Sequence, residues 1–181
     1  SDIDTFNNRV SGQSLTITGS GTVSTALSGS GKTIILGTLS LADGSGGLAS
    51  NYSLSGGTFD VNSRQLNVSG SRVYDNTSTV NGSDLVVSTG VGVEVMTLSG
   101  QGSIANANVG DNKTVTQNTL SLVSASGSAS NYSLGTISVN IIKRPVNVSL
   151  EKVYDGSLNA PASGLKTNGI TNTVGGQTLT L

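Results

Sequence analysis

The tetrapeptide NYSL at residues 51–54 returns at residues 131–134, and the tripeptide VYD at residues 73–75 returns at residues 153–155. Both pairs have an offset of 80 residues, and all four tyrosines of the chain lie in these peptides. A repeat of this length, with no catalytic set inside it, is typical of a tandem array of small domains. The sequence therefore says much about the arrangement of domains and very little about a ligand.

Short segments in which apolar and polar residues alternate fill each copy. LTI at residues 15–17 matches MTL at 96–98 and LTL at 179–181, and LNVS at 66–69 matches VNVS at 146–149. A period of two is the pattern of a half-buried strand, and clusters of Gly, Ser and Asn separate the segments. We therefore predict an all-β fold, in which small antiparallel β-sandwich domains of immunoglobulin-like type follow one another in a rod.

The repeat predicts three sections of chain. Residues 1–63 form a first repeat that lacks its opening strand, residues 64–143 form a complete repeat, and residues 144–181 begin a third. Pro145 cannot donate a hydrogen bond into a sheet and marks the joint between copies. The missing strand leaves two alternatives. The domain is permuted, so that the LNVS strand closes the first copy, or residues after Pro145 complete a neighbouring chain head to tail.

Equivalent positions of the repeat should share their environment. We expect four pairs to be buried because alternation places them on core-facing sides: Leu66 and Val146, Val68 and Val148, Ile17 and Leu98, Leu39 and Leu120. We expect the residues after the second tyrosine of each copy, 75–76 and 155–156, to form a turn with positive φ at Asn76 or Gly156.

The composition excludes several classes of function. Only 10% of the residues are charged, the net charge is -1, and Ser and Thr together number 51. Nine basic residues spread over the chain do not form the face that nucleic acid requires, and no apolar run is long enough for insertion into a membrane as a helix. The chain has no Cys and no His, so the usual zinc and haem ligands and the Ser-His-Asp and Cys-His nucleophile systems are missing.

Two local motifs have an ordinary structural interpretation. GSGKT at residues 29–33 resembles the end of a phosphate-binding loop, but Ala26 stands where that motif requires Gly, and a strand-like segment follows where it requires a helix. We therefore expect a turn and a strand there. Asp43 and its neighbouring glycines suggest calcium, but Ser124 replaces Asp43 in the second copy. We accordingly predict no metal site, no cofactor and no catalytic residue.

The repeat also resembles a known family. KVYDG at residues 152–156, KTV at 113–115, NYSL at 131–134 and a closing strand that runs into KRP at 143–145 together resemble the YDG repeat domain. This resemblance covers one complete copy, roughly residues 64–143, and most of the chain on either side, with Asn76 in place of Gly in the turn of the complete copy. It implies a non-enzymatic extracellular module of large bacterial surface and secreted proteins, including filamentous-haemagglutinin-like adhesins exported by two-partner secretion.

The leading hypothesis is a stalk or spacer whose partners are the neighbouring repeats of the same chain. The alternatives are a module that binds a glycan or another surface directly, for which Phe6 is the one aromatic outside the matched positions, and a fibre subunit that joins other copies head to tail. In every case the repeat-signature residues are expected to be structural, with half-buried rings and capped turns: Tyr52, Tyr74, Asp75, Tyr132, Tyr154, Asp155 and Gly156.

Overall fold

The computed structural model describes residues 10–180, and in this part of the chain the fold is all-β, without an α-helix. The chain divides between Arg64 and Gln65 into two compact units, residues 1–64 and 65–181. Phe6 and the last residue of the third LTL segment, Leu181, lie outside the described residues.

The first unit forms a two-stranded and a three-stranded sheet, with strand orders β1-β4 and β2-β3-β5. A single turn of 3₁₀ helix, Ala49–Asn51, precedes the last strand. The strands are β1 Leu15–Thr18, β2 Thr22–Val23, β3 Gly29–Ile35, β4 Ser40–Asp43 and β5 Thr58–Val61.

The second unit contains a four-stranded sheet of order β11-β13-β6-β8 and three two-stranded sheets, β7-β10, β9-β12 and β14-β15. Its single turns of 3₁₀ helix are Gly82–Asp84, Ala129–Asn131 and Ala162–Gly164. The strands are β6 Arg64–Val73, β7 Thr79–Asn81, β8 Leu85–Val86, β9 Val95–Ser99, β10 Gln101–Ser103, β11 Gly110–Thr114, β12 Ser121–Ser126, β13 Tyr132–Ile142, β14 Asn147–Leu150 and β15 Leu165–Thr171.

Two strand pairings recur in the first two copies in the same register. In the first copy β3 pairs with β5, Lys32 lies opposite Phe59, and the register shifts between Gly29 and Lys32. In the second copy β11 pairs with β13, Lys113 lies opposite Val139, and the shift recurs at the equivalent place. The other strand pair, β1-β4 or β9-β12, is also equivalent in the two copies. The matched segments of the first two copies therefore share these two strand pairings, whereas residues 179–180 of the third LTL segment do not form a strand.

Glycine is required at one equivalent turn of both copies. Gly19 and Gly100 have φ values of 84° and 83°, in the left-handed region that favours glycine. A Cβ atom would lie 2.1 Å from the carbonyl oxygen of Thr38 at the first position, and 2.2 Å from that of Thr119 at the second. Any side chain would collide with the backbone there, so this turn requires glycine in both copies.

The four-stranded sheet differs from the antiparallel arrangement that the sequence predicted. The Thr136 N–H donates to Asn67 Oδ1 (3.1 Å), and further along the Tyr74 N–H donates to the Ile142 carbonyl (2.9 Å). Both residue numbers rise together, so β6 and β13 are parallel, whereas the other strands of this sheet pair antiparallel. The LNVS strand thus lies in the sheet of the second copy, where it opens that copy instead of closing the first.

Burial is very uneven between the copies. Twelve buried apolar residues lie in the second unit, and in the described part of the first unit Leu15 is the single one. The larger cluster is formed by Val68, Val80, Leu85, Ile104, Val115, Leu120, Ile137, Val139 and Ile141. A smaller cluster contains Leu66, Met96 and Tyr132. The opening segment of the repeat, from β6 to β8, thus contributes side chains to both clusters.

The burial predictions are confirmed in part. Leu66, Val68 and Leu120 are buried, but Ile17, Leu39 and Leu98 are half-buried. The prediction is wrong for Val146 and Val148, which are 41% and 51% exposed. The reason is that β14 pairs with β15 alone among the described strands, so no β13-like strand covers the side chains of the third copy. Alternation sets which residues share a face, but a second layer must bury that face.

A matched pair of substitutions tests this difference. Val68→Asp should cost about 4 kcal/mol or more of unfolding free energy, because it buries an unpaired charge in the core. Val148→Asp, the same change at the equivalent residue, should leave the melting temperature of dilute protein nearly unchanged. Chemical denaturation followed by circular dichroism measures both. Equal effects of the two substitutions would contradict the burial described here.

Candidate functional site

The turn that follows β6 carries the repeat signature. Tyr74 is half-buried and packs against the larger core cluster. Its hydroxyl donates to Asn76 Oδ1 (3.0 Å) and accepts a hydrogen bond from Gln177 Nε2. The ring is therefore a packing element with an occupied hydroxyl, and the structural role expected for Tyr74 stays a prediction.

Asp75 closes this turn with its side chain. Its Oδ1 accepts hydrogen bonds from the Thr77 N–H (2.9 Å) and the Thr77 hydroxyl (2.8 Å). Such a bond from an aspartate to the backbone two residues on defines an Asx-turn. Between them Asn76 has φ 63°, in the left-handed region that Asn tolerates better than most residues. The predicted turn and its positive φ are confirmed.

Arg72 holds the same turn from the end of β6. Its side chain is only 9% exposed, and its guanidinium forms an ion pair with Asp75 and donates to the Thr77 carbonyl (2.6 Å). Burial raises the pKa of Asp75, but the hydrogen bonds from Arg72 and Thr77 and the charge of Arg72 outweigh that effect, so the pKa lies below its ordinary value of 3.8. The carboxylate stays ionised and fastens the turn to the strand.

The third copy builds the same turn with a lysine. Lys152 Nζ donates to Asp155 Oδ1 (2.9 Å) and to the Ser157 carbonyl (2.7 Å). Asp155 Oδ1 accepts from the Ser157 N–H (2.9 Å), and Gly156 has φ 73° as predicted. The pKa of Asp155 is lowered from 3.8, mainly by the hydrogen bond from Lys152 and then by those from Ser157. The turn is thus a local structure that forms without the surrounding core.

The burial predicted for the ring of Tyr154 is wrong. The sequence predicted a half-buried ring, but Tyr154 is 92% exposed. Tyr74 is covered because its strand lies beside β13 and its ring reaches the larger core cluster. Within the described residues the third copy has no strand equivalent to β13, so the ring of Tyr154 has no core to pack against.

Each tyrosine of the NYSL peptides donates a hydrogen bond to a side chain that lies just before β1 in the first copy and just before β9 in the second copy. Tyr132 is 8% exposed and its hydroxyl donates to Glu94 Oε2. Tyr52 is half-buried and donates to Gln13 Oε1. Both rings are thus at least half-buried with occupied hydroxyls, and their structural role stays a prediction. Their acceptors, Gln13 and Glu94, were not singled out from sequence, although they occupy equivalent positions in the two copies.

The two local motifs noted in the sequence also have structural roles. GSGKT at residues 29–33 lies in β3, where Lys32 Nζ donates to Thr25 Oγ1 (2.9 Å). Asp43 Oδ1 accepts from the Ala49 N–H at the start of a 3₁₀ turn (2.7 Å), and Ser124 Oγ accepts from the equivalent Ala129 N–H (2.8 Å). Residues 10–180 contain no group of three or more acidic side chains that could hold a metal ion.

A shallow groove of about 250 Å³ lies within the second unit, near the predicted joint between the second and third copies. Tyr74, Val109, Val146 and Leu179 contribute to its lining. Arg144, also at this groove, donates from Nε to the Asn172 carbonyl (2.7 Å) and from its terminal nitrogen to Asn172 Oδ1 (3.0 Å). The guanidinium is therefore engaged in fastening the end of β15, and the groove presents no set of convergent catalytic groups.

The left-handed residue in the turn gives a testable prediction. Asn76→Val should cost about 1–3 kcal/mol, because a β-branched residue is strained at positive φ. Asn76→Gly should cost much less, since glycine adopts this conformation freely. Thermal melting of the two variants beside the wild type measures the difference. Equal melting temperatures for Asn76→Val and Asn76→Gly would contradict the proposed strain.

The ion pair predicts a pH dependence. Asp75→Asn retains an oxygen for the Thr77 N–H but removes the charge, so it should cost about 1–3 kcal/mol at pH 7 by leaving the Arg72 guanidinium without its charged partner. A carboxyl with a lowered folded pKa stabilises the fold above its unfolded pKa and loses this contribution as the pH falls through the folded value. The gap between wild type and variant should therefore close below about pH 3.8.

Asp155→Asn is the matched control, because its carboxylate is exposed and its partner Lys152 is not deeply buried. Denaturant titrations between pH 2 and pH 7 give the unfolding free energies. A gap between wild type and Asp75→Asn that stayed constant across this range, or an equal loss in Asp155→Asn, would rule out the role of the buried Arg72.

Comparison with known families agrees with this geometry. Residues 62–139 match the model of the YDG domain, which spans β6 and continues into β13. No curated protein and no solved structure shows a significant match to the chain. The resemblance seen in the signature residues is therefore confirmed for this segment, and the protein contains a YDG domain at residues 62–139.

Proposed function

We propose that this chain is a structural repeat module, a stalk or spacer of an extracellular bacterial adhesin, and that it is not an enzyme. The observation that carries the proposal is that the strand pairings recur between copies while two charged turn acceptors do not. Strand pairs β3-β5 and β11-β13 share their register and their irregularity, so the features that recur are those that build the fold.

At two turns a charged acceptor of the first copy is replaced by a neutral acceptor in the second copy. Asp60 Oδ1 accepts from the Gly31 N–H (2.7 Å), and in the second copy Asn140 Oδ1 accepts from the Asn112 N–H (2.7 Å). Asp43 and Ser124 exchange in the same way at the 3₁₀ turn. Catalysis or charge-dependent binding would need the charge itself, whereas a turn needs only an acceptor.

Many of the cations are likewise engaged within the chain. Lys113 Nζ donates to the Asn106 carbonyl (2.7 Å) and to the Asn108 carbonyl (2.6 Å), and Lys32 and Lys152 also donate to nearby loops. The rest of the surface is rich in Ser and Thr hydroxyl groups, and the chain has little net charge. Such a surface suits a spacer, because it is hydrated and offers few groups for strong association.

The proposed array consists of immunoglobulin-like β-sandwich copies that follow one another in a rod. Short joints support this arrangement, since the β5 and β6 strands are separated by only Asn62 and Ser63. A joint of this length restricts the orientations available to consecutive copies far more than a flexible linker does. In residues 10–180 no helix is long and apolar enough to cross a membrane.

The length of a repeated chain tests the spacer function. Residues 64–143 can be inserted again so that this copy is present once, twice or four times in the full chain. Small-angle scattering of monomeric samples should show a maximum dimension that rises by the same increment for each added copy. A dimension that rises with about the 0.4 power of chain length would indicate a compact globule and contradict the rod.

Direct adhesion would also contradict the proposal. The chain should show no saturable binding to immobilised glycans and no hydrolysis of them. Saturable glycan binding that is lost in a Tyr154→Ala variant would instead support the adhesive alternative, because Tyr154, at 92%, is more exposed than any other aromatic side chain of the described residues.

A further inference from the structure

The second copy presents an apolar face on the outer side of the β9-β12 strand pair. Val93, at the turn before β9, is 91% exposed, and Val95 and Val123 are 52% and 42% exposed. Val123 lies opposite Thr97, which shares a side of β9 with Val95. We call these three valines the valine face. It lies inside the complete copy, so its exposure does not follow from strands that the first and third copies lack.

The valine face is specific to the second copy. The first copy has Gly12, Ser14 and Ala42 at the equivalent positions, and the third copy has Gly176 and Thr178 at the first two. A side chain that is 91% exposed adds nothing to the buried clusters. The features that build the fold recur between copies, whereas this apolar surface does not, so the framework does not account for it.

The turn before β9 differs between copies in a way that admits the valine. A hydrogen bond from the fourth residue to the first closes it in every copy, as between the Glu94 N–H and the Val91 carbonyl (3.1 Å). In the first and third copies the third residue is a glycine with φ 80° or 81°, where a β-branched residue is strongly disfavoured. In the second copy the left-handed residue is Gly92 (φ 47°), one place earlier. Val93 can therefore occupy the tip without strain.

The strands that carry the valine face have no charged side chain. Glu94 is the single charged residue between positions 85 and 110, and its carboxylate accepts the Tyr132 hydroxyl. Residues 114–142 contain no charged residue at all. A nucleic acid or an anionic membrane surface would need cations here. The face is instead suited to an apolar surface that is itself uncharged.

A second molecule of this chain offers such a surface. A two-fold axis sets a face against itself, which is unfavourable where the face is charged and favourable where it is apolar. The three valines expose on the order of 300 Å², the size of the largest apolar patch on an ordinary monomer, whereas a stable interface buries roughly 800 Å² on each partner. The contact is therefore weak between single copies and strengthens when several copies on each chain engage together.

We propose that the valine face is a lateral contact at which two molecules of this chain pair about a two-fold axis, with Val93 and Val95 of one molecule against the same residues of the other. The contact lies side by side along the chains and joins no ends. This inference goes beyond the spacer function, which requires no association between chains.

A single introduced cysteine tests the contact in the full chain, because the natural sequence has none. Val93→Cys should form disulfide-linked dimers roughly tenfold faster than Val86→Cys, since the axis brings the two thiols together. Val86 is the matched control because it is 71% exposed and lies in β8 of the same copy. Each rate is divided by the rate at which that thiol reacts with a small disulfide, which removes differences in thiol reactivity.

Opposite charges at the axis test the two-fold arrangement. In chains that carry residues 64–143 four times, sedimentation velocity should detect association at a concentration roughly 10- to 100-fold lower than in the single chain. Val93→Asp in every copy should abolish this association, and so should Val93→Lys, because each places like charges face to face. An equimolar mixture of the two should associate again. Circular dichroism checks that both variants keep the fold, as expected for so exposed a residue.

Two outcomes would overturn the proposal. Equal corrected rates for Val93→Cys and Val86→Cys would show that no contact brings the valine faces together. A mixture of the Asp and Lys variants that associates no more than either variant alone would show that position 93 does not meet itself in a second molecule. Neither outcome bears on the length increments expected for a spacer, so a failure of this inference is distinguishable from a failure of the proposed function.

Discussion

The parallel pairing of β6 with β13 is the constraint on which the complete copy depends. It joins the first strand of the repeat to the last, across nearly the whole copy, through contacts such as the Tyr74 N–H with the Ile142 carbonyl. Closing so long a segment costs conformational entropy, which only the burial of a continuous core can offset. Leu66 and Val68 lie in β6 and pack in the two buried clusters. The pairing that closes the sheet therefore also brings these side chains into the core.

The contrast between copies follows from this single contact. The first copy has the strand pairs β1-β4 and β3-β5 in the same register as their equivalents in the second copy. In its described part, however, Leu15 is the one buried apolar side chain. The third copy has the same opening strand, yet its valines are exposed. Within the described residues, the first copy has the equivalent of β13 and the third copy has the equivalent of β6, whereas the second copy has both strands, paired with each other. Local structure therefore persists in all three copies, whereas a dense core forms where the first and last strands meet.

Several features were accessible from sequence because they have a local physical cause. Alternation of apolar and polar residues identified the strands, and the residue types of the turns predicted the positive φ of Asn76 and Gly156. Other features were missed because they join residues that no local pattern connects. The parallel direction of β6, the Glu94 acceptor of Tyr132 and the shared capping role of Asp43 and Ser124 all depend on how distant segments meet. Equivalence between copies was the one sequence signal for the last two.

The repeat, the strands and the turns could be predicted from the sequence alone, because periodicity, left-handed conformations and side-chain caps act over a few residues. Which strand faces are covered depends on the three-dimensional arrangement, because burial requires a second layer that the segment itself does not encode. Val68 and Val148 lie in nearly identical peptides, and yet they are 2% and 51% exposed. The physical difference between them is the presence of β13 beside one strand and the absence of an equivalent described strand beside the other.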